Sequence, residues 1–336
     1  MGLTTRDRET MRQQRRQFLT NAAALVAVAL GAAAPGAAMP GAGVSADTSG
    51  AGVSADASGA ASATPLLRRP VPKSGEMLPV VGLGTSGAFE VGVDARERDP
   101  LAEVLSGLFA AGATVIDTSP MYSSAETVLG EMLSAEMQAK AFIATKVWTR
   151  GEREGVVQMT RSMELLRRKR VDLMQVHNLL DLEAHLRTLR RWKDEGRVRY
   201  IGVTHYTVES HARLIEVIER EPLDFVQFNY SATTTAAEQR LLPLCADRGV
   251  AVIVNRAFDD GKIFDRLKDR PLPSWAGELG CTSWAQLLLK YVIAHPAVTC
   301  VIPGTGKLRN LEDNLAAARG ALPDAAQRLA IRAAVV

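Results

Sequence analysis

Cysteine is scarce in this chain. There are three in 336 residues (Cys245, Cys281, Cys300), and no two are spaced as CxxC. That excludes a disulfide scaffold and a zinc-ribbon site. No run of roughly 18 strongly apolar residues occurs, which excludes a polytopic membrane protein. No His/Cys/Asp cluster has metal-ligand spacing, so no metal is expected. An excess of one charge is missing too. Lys and Arg number 40 against 37 Asp and Glu, for a net charge of +3. No dense basic block is read in the body of the chain, which argues against a nucleic-acid binder. What remains is 47% apolar and 23% charged, an ordinary globular composition.

The first 64 residues stand apart. Residues 1–20 carry Arg6, Arg8, Arg12, Arg15 and Arg16 against Asp7 and Glu9. An alanine-rich, weakly apolar run from Asn21 to Ala34 follows, then small residues and Pro35. A basic stretch, an apolar stretch and a small-residue zone in that order read as an export signal over residues 1–38. Arg15-Arg16-Gln17-Phe18-Leu19 resembles the twin-arginine motif. The expected location is therefore periplasmic or secreted. The expected partner in export is the twin-arginine machinery, with no stable membrane insertion after processing. Residues 39–64 contain Gly-Ala-Gly-Val-Ser-Ala-Asp twice, from Gly41 and from Gly50. Such small residues bury too little surface to offset chain entropy, so this is read as a flexible linker.

Residues 65–336 form a unit of about 270 residues, a size typical of one (β/α)8 barrel. Short β-branched runs alternate with longer amphipathic ones. The expected strands are Pro79–Leu83, Thr114–Ile116, Ala141–Thr145, Asp172–Val176, Val198–Val203, Asp224–Phe228, Val250–Val254 and Val298–Ile302. The expected helices are Pro100–Ala111, Ser124–Glu136, Glu152–Arg168, Leu182–Glu195, Val208–Arg220, Ala236–Arg248, Thr282–His295 and Leu308–Ala318. Regular alternation implies parallel strands, and eight of each imply closure into an α/β TIM barrel. Gly82-Leu-Gly84 lacks the GxGxxG spacing of an open dinucleotide-binding sheet. Before the first strand, Lys73-Ser-Gly-Glu76 is a turn signal, read as an N-terminal β-hairpin that closes the barrel floor. Residues 323–334 read as an extra C-terminal helix.

Barrel chemistry sits at the C-terminal ends of the strands. There the sequence places Asp117, Tyr122 just beyond it, Lys146 and His177, from three neighbouring strands. Neighbouring strands lie about 4.8 Å apart, so these side chains converge. Each alone has a plain structural role: a cap, a solvated cation, a packed ring. Together they have a chemical one. Lys146 and Asp117 need pairing at a packed mouth. An ammonium lowers the pKa of a phenol from about 10. A tyrosine tuned in this way delivers a proton to a carbonyl oxygen while hydride reaches the carbon. His177 hydrogen-bonds that oxygen.

Leu83-Gly-Thr85, Ile116-Asp-Thr118 with Tyr122, Thr145-Lys146, Val176-His177 and Ile302-Pro-Gly-Thr305 with Asn314 resemble the aldo/keto reductase superfamily. They occur in order from about residue 70 to 320. The resemblance implies a metal-free NADPH-dependent carbonyl reductase, NADH not excluded. It implies Tyr122 as general acid, Lys146 and Asp117 as its tuning pair, and His177 as the substrate orienter. It also implies cofactor positions. Thr204 and His205 stand where Ser-Asn commonly holds the nicotinamide amide, and Gln227 stands at the amide-binding Gln. Asn255 and Arg256 replace a stacking Tyr. Gly304, Thr305, Lys307 and Arg309 lie at the phosphates, and Asn314 at adenine. Trp148 and Trp275 are expected in the substrate pocket, Trp275 within a lid loop Asp259–Gly280. The three cysteines are expected to be structural, with Cys281 the more exposed. Two other readings remain open: a nucleotide-binding regulatory or partner-binding barrel with little turnover, and a barrel enzyme of another class.

Overall fold

The structure, a computed structural model, describes residues 64–336. The expected export segment and all but the last residue of the linker lie outside the described residues. Thr64–Val336 is one compact unit holding its own hydrophobic core.

Eight parallel strands run in sequence order round a barrel. They are β3 (Leu83–Gly84), β4 (Val115–Asp117), β5 (Phe142–Val147), β6 (Val171–His177), β7 (Val198–Thr204), β8 (Phe225–Asn229), β9 (Ala251–Asn255) and β10 (Val298–Val301). The seam closes by parallel bridges from Val81 to Val301 and from Gly84 to Gly304. Glycine is required there: a Cβ on Gly84 would lie 2.7 Å from the Ile302 carbonyl oxygen.

Strand periodicity sorts the barrel interior into layers. Val115, Phe142, Leu173, Tyr200, Phe225 and Ala251 form its lower apolar layer, together with Val71 and Leu78. The last two come from the hairpin β1 (Arg68–Pro70) and β2 (Met77–Pro79), paired antiparallel. As expected, the hairpin closes the floor. Lys73 donates to the Leu223 carbonyl and Glu76 binds Arg199 and Tyr200. Two residues further along β4, β6 and β8, and four further along β5, the interior turns polar, with Asp117, Gln175, Gln227 and Lys146 buried.

The helices are α1 (Ala95–Ala110), α2 (Ala125–Met132), α3 (Ala135–Lys140), α4 (Glu152–Leu165), α5 (Leu182–Asp194), α6 (His211–Arg220), α7 (Leu241–Arg248), α8 (Lys262–Leu267), α9 (Trp284–Ile293), α10 (Leu308–Ala316) and α11 (Ala325–Val335). Several differ from the sequence reading. Pro79 ends the hairpin strand, so the first barrel strand starts at Leu83. Ser124–Glu136 is two helices, because Leu133 is extended and Ser134 caps α3 through Met137 N–H. The 259–280 loop is largely structured, by α8 and a 3-10 turn at Ser274–Leu279. Cys281, expected to be more exposed, is buried like the other two cysteines. The basic block missed in the sequence is Arg167-Arg168-Lys169-Arg170, in the turn between α4 and β6.

Behind β5 lies a buried acid. Glu126 on α2 accepts from Thr145 Oγ1 at 2.6 Å, and its second oxygen has no partner. Burial pushes its carboxyl up from 4.5 to about 7, against the pull of the Thr145 and Ser162 hydroxyls. The folded value lies above the unfolded one. The stability it contributes is therefore full below about pH 4.5 and lost as pH rises through about 7. Measured by urea unfolding, the stability of the wild type relative to Glu126→Gln should fall by roughly 3 kcal/mol between about pH 5 and 8.

Candidate active site

The residues singled out in the sequence meet at the barrel mouth. Lys146 Nζ donates to Asp117 Oδ2 and to the Thr118 carbonyl, both at 2.7 Å, and the ion pair is almost fully buried. The other Asp117 oxygen accepts from Gln227 Nε2 at 2.8 Å. Lys146 Nζ also lies 4.9 Å from the centroid of the Tyr122 ring. That ring stands edge-on to His177, with centroids 6.3 Å apart. Trp148 is 6.3 Å from His177 on another side. Strand register explains the grouping: Asp117 pairs with Ala144, Lys146 with Gln175, and His177 with Thr204.

The electrostatics correct one expectation. Burial pushes the Tyr122 phenol up, and Lys146 only partly offsets this, so the net shift is upward rather than down. Tyr122 therefore stays protonated through neutral pH. Burial works against a charged Lys146, but Asp117 and Tyr122 outweigh it and raise its pKa, keeping it an ammonium. Burial, followed by the charge of Lys146, holds His177 well below its usual range. His177 is thus a neutral imidazole.

Three neighbours were not read from the sequence. Ser119 Oγ accepts from Met121 N–H at 3.2 Å and lies 3.3 Å from His177 Nδ1. Gln175 lies within hydrogen-bond reach of Asp117 and leaves its own Oε1 without a partner. Tyr206 sits between the rings of its neighbours, stacked on His205 at 5.4 Å and covered by the Arg256 guanidinium at 4.4 Å. Period-two alternation back from His177 points to Gln175; nothing comparable marks Ser119 or Tyr206.

At the cofactor positions the structure departs from the resemblance. His205 faces its own loop. Its Nδ1 accepts from Tyr206 and Thr207 N–H, its Nε2 is 3.0 Å from Ser210 Oγ, and burial lowers its pKa to about 4. It is a loop-capping residue here. Gln227 is occupied at both ends, by Asp117 and by Thr204 Oγ1. Asn255 donates to the His205 carbonyl at 3.2 Å across the mouth, and its Oδ1 is buried without a partner. Asn178 Oδ1 is likewise unpartnered. Arg256 pairs with Asp260 at 3.1 Å. Gly304 and Thr305 lead into α10, which Lys307 precedes with no side-chain cap. With Lys307 and Arg309 exposed, that helix start suits a phosphate. Asn314 is buried on α10. Beside it a cavity of about 610 Å³ is lined by Ser283, Gln286, Arg309, Asn310 and Asp313 among others. Trp275 is half-buried against the main core, and no hydrogen bond or ring pairing links it to Tyr122, Lys146 or His177 among the described residues.

These features fit a bound dinucleotide: buried acceptors without donors at one end, and an uncapped basic helix start at the other. Among the described residues no group of three or more His, Cys, Asp or Glu is placed to hold a metal.

Comparison with known proteins agrees with this geometry. The aldo/keto reductase family model matches residues 80–329. A probable aldo-keto reductase of Glycine max is 27% identical over 293 residues, covering 70% of this chain and 83% of its own. Methylglyoxal reductase YeaE of Escherichia coli is 26% identical over 251 residues, covering 72% and 87%. A Klebsiella pneumoniae aldo/keto reductase solved with NADP and acetate superposes with a TM-score of 0.63 at 23% identity, over 78% of this chain and 93% of that one. With the barrel, the buried Asp117–Lys146 pair and this match over most of its length, the chain belongs to the aldo/keto reductase family.

Proposed function

We propose that this chain uses NADPH to reduce an aldehyde or ketone to an alcohol, with Tyr122 as the general acid. The observation that carries this reading is the Tyr122 ring packed 4.9 Å from Lys146 Nζ, itself paired with buried Asp117, and edge-on to His177. The family's NAD(P)H-dependent reductases supply the reaction class. The NADP in the Klebsiella structure and the methylglyoxal activity named for the Escherichia coli relative support the cofactor and a small carbonyl substrate.

When bound, NADPH supplies the hydride; this chain's residues manage the proton. Tyr122 gives its phenolic proton to the carbonyl oxygen as the carbon is reduced. The resulting phenolate gains from Lys146, which Asp117 keeps charged. Ser119 Oγ accepts from Met121 N–H, and in the Nε2–H tautomer of His177 the Ser119 hydroxyl donates to Nδ1, 3.3 Å away. His177 then carries its own proton on Nε2 and donates it to the substrate oxygen. Ser119 is thus a positioning residue. Trp148 forms a wall beside His177. Lys307, Arg309 and the Gly304–Thr305 backbone would hold the phosphates, and Asn314 the adenine side. Asn255 and Asn178 would accept from the nicotinamide amide, the role that His205 has given up. The twin-arginine-like Arg15-Arg16 supports export with the nucleotide already bound. Nucleotide recovered with the protein from a periplasmic fraction would agree with that; none recovered would count against it.

Tyr122→Phe should lower kcat by at least about 10²-fold while leaving NADPH affinity unchanged, as read by fluorescence of the reduced nicotinamide. Unchanged turnover would instead favour a nucleotide-binding barrel without catalysis. Because His177 is neutral throughout, kcat/KM should show no ionisation near pH 6.5. The reduced acetylpyridine analogue lacks the amide N–H, so the wild type should bind it roughly five- to ten-fold more weakly than NADPH. Asn255→Ala should reduce that difference, and the double variant with Asn178→Ala should abolish it.

A further inference from the structure

The barrel end opposite the site carries unspent positive charge. Arg167, Arg168, Lys169 and Arg170 occupy the turn before β6, and Arg197 and Arg199 lie at the start of β7. Four carboxylates at this end are taken. Asp172 is held by Arg168 at 3.5 Å and Arg199 at 2.8 Å, Glu76 by Arg199, Asp224 by Lys193, and Glu221 by Arg190. Arg168 also donates to the Gln138 and Ala141 carbonyls. The side chains of Arg167, Lys169 and Arg170 make no ion pair or hydrogen bond among the described residues. The Arg197 guanidinium lies over Trp192, 3.6 Å from the ring centroid, and makes no ion pair among the described residues. A groove of about 390 Å³ runs between α4 and this turn, lined by Thr160, Met163, Arg167, Arg168, Lys169 and Arg197. The one acid on its wall, Glu164, is paired with Arg161.

Two observations bear on what covers this face. The chain joins the barrel at the same end: the Thr64 carbonyl accepts from Arg319, and the β1–β2 hairpin fills the floor. Ahead of Thr64 stand 63 residues that include the chain's arginine-rich start and its alanine-rich apolar run. The hairpin also presents Met77, 47% exposed, on this face. Nucleic acid would ask for stacking aromatics, but Trp192 is buried beneath Arg197. A folded protein partner would ask for an apolar anchor pocket, but the groove wall is mostly cationic.

We propose that this face docks on an anionic phospholipid surface, with lipid phosphates against Arg167, Lys169, Arg170 and Arg197, so that the active site faces away from the membrane. Clustered cations are attracted to an anionic leaflet, and salt screens the attraction.

The test is sedimentation of the chain from Thr64 onward, the unit that holds its own core, with vesicles of mixed phosphatidylglycerol and phosphatidylcholine. Pure phosphatidylcholine vesicles, duplex DNA and inorganic phosphate are the comparison probes. Binding is expected to the mixed vesicles only, weakening roughly five-fold for each cation removed in the series R167Q, K169Q, R170Q. It should vanish at high salt. NADPH fluorescence should be unchanged in every variant, showing an intact barrel. Failure to sediment with mixed vesicles would overturn the proposal. So would a triple variant that sediments like the wild type, tighter binding to DNA, or stabilisation by inorganic phosphate without vesicle binding.

Discussion

The buried ion pair between Asp117 and Lys146 governs the rest of the site. Two charges out of water are tolerated only when their hydrogen-bonding capacity is filled. Here the Thr118 carbonyl accepts from the ammonium and Gln227 donates to the other Asp117 oxygen, and Thr204 holds Gln227 in turn. Burial, with this ammonium beside it, keeps His177 neutral, and the same ammonium partly offsets the burial that raises the Tyr122 phenol. Removing either partner would leave an uncompensated charge in the barrel, so stability and chemistry rest on one contact.

That contact is affordable because of the barrel beneath it. Strand periodicity sends every second residue inward, and the lower inward positions are apolar and plugged by the hairpin. The polar layer is the next step along the same strands. A one-residue slip in β5 would turn Lys146 out and Thr145 in. Thr145 instead faces α2 and binds Glu126, which ties the outer helix to the strand carrying Lys146.

The loops after β7 and β9 are tied to one another. His205 caps its own loop, Tyr206 stacks on His205 and lies against the Arg256 guanidinium, and Asn255 donates to the His205 carbonyl. An acceptor left bare in a buried place is costly to the protein by itself. Asn255 and Asn178 each carry one, so both are better satisfied with a donor bound.

The sequence by itself determined the alternation of elements, the barrel, the hairpin at the floor and the four residues at the strand ends, because these follow from local periodicity and from which residues end a strand. It placed element ends less well where a cap or a break competed with periodicity, as at Leu133 and Pro79. Tertiary structure alone decided the states of those four residues. Whether Tyr122 is pushed up or pulled down depends on how burial compares with a charge brought from a strand far along the chain. The direction His205 faces, and the bare acceptors of Asn255 and Asn178, depend on contacts between loops that no local pattern records. The unpaired charge of Arg167, Lys169 and Arg170 likewise shows only once folding has assigned Asp172, Glu76, Asp224 and Glu221 to other cations.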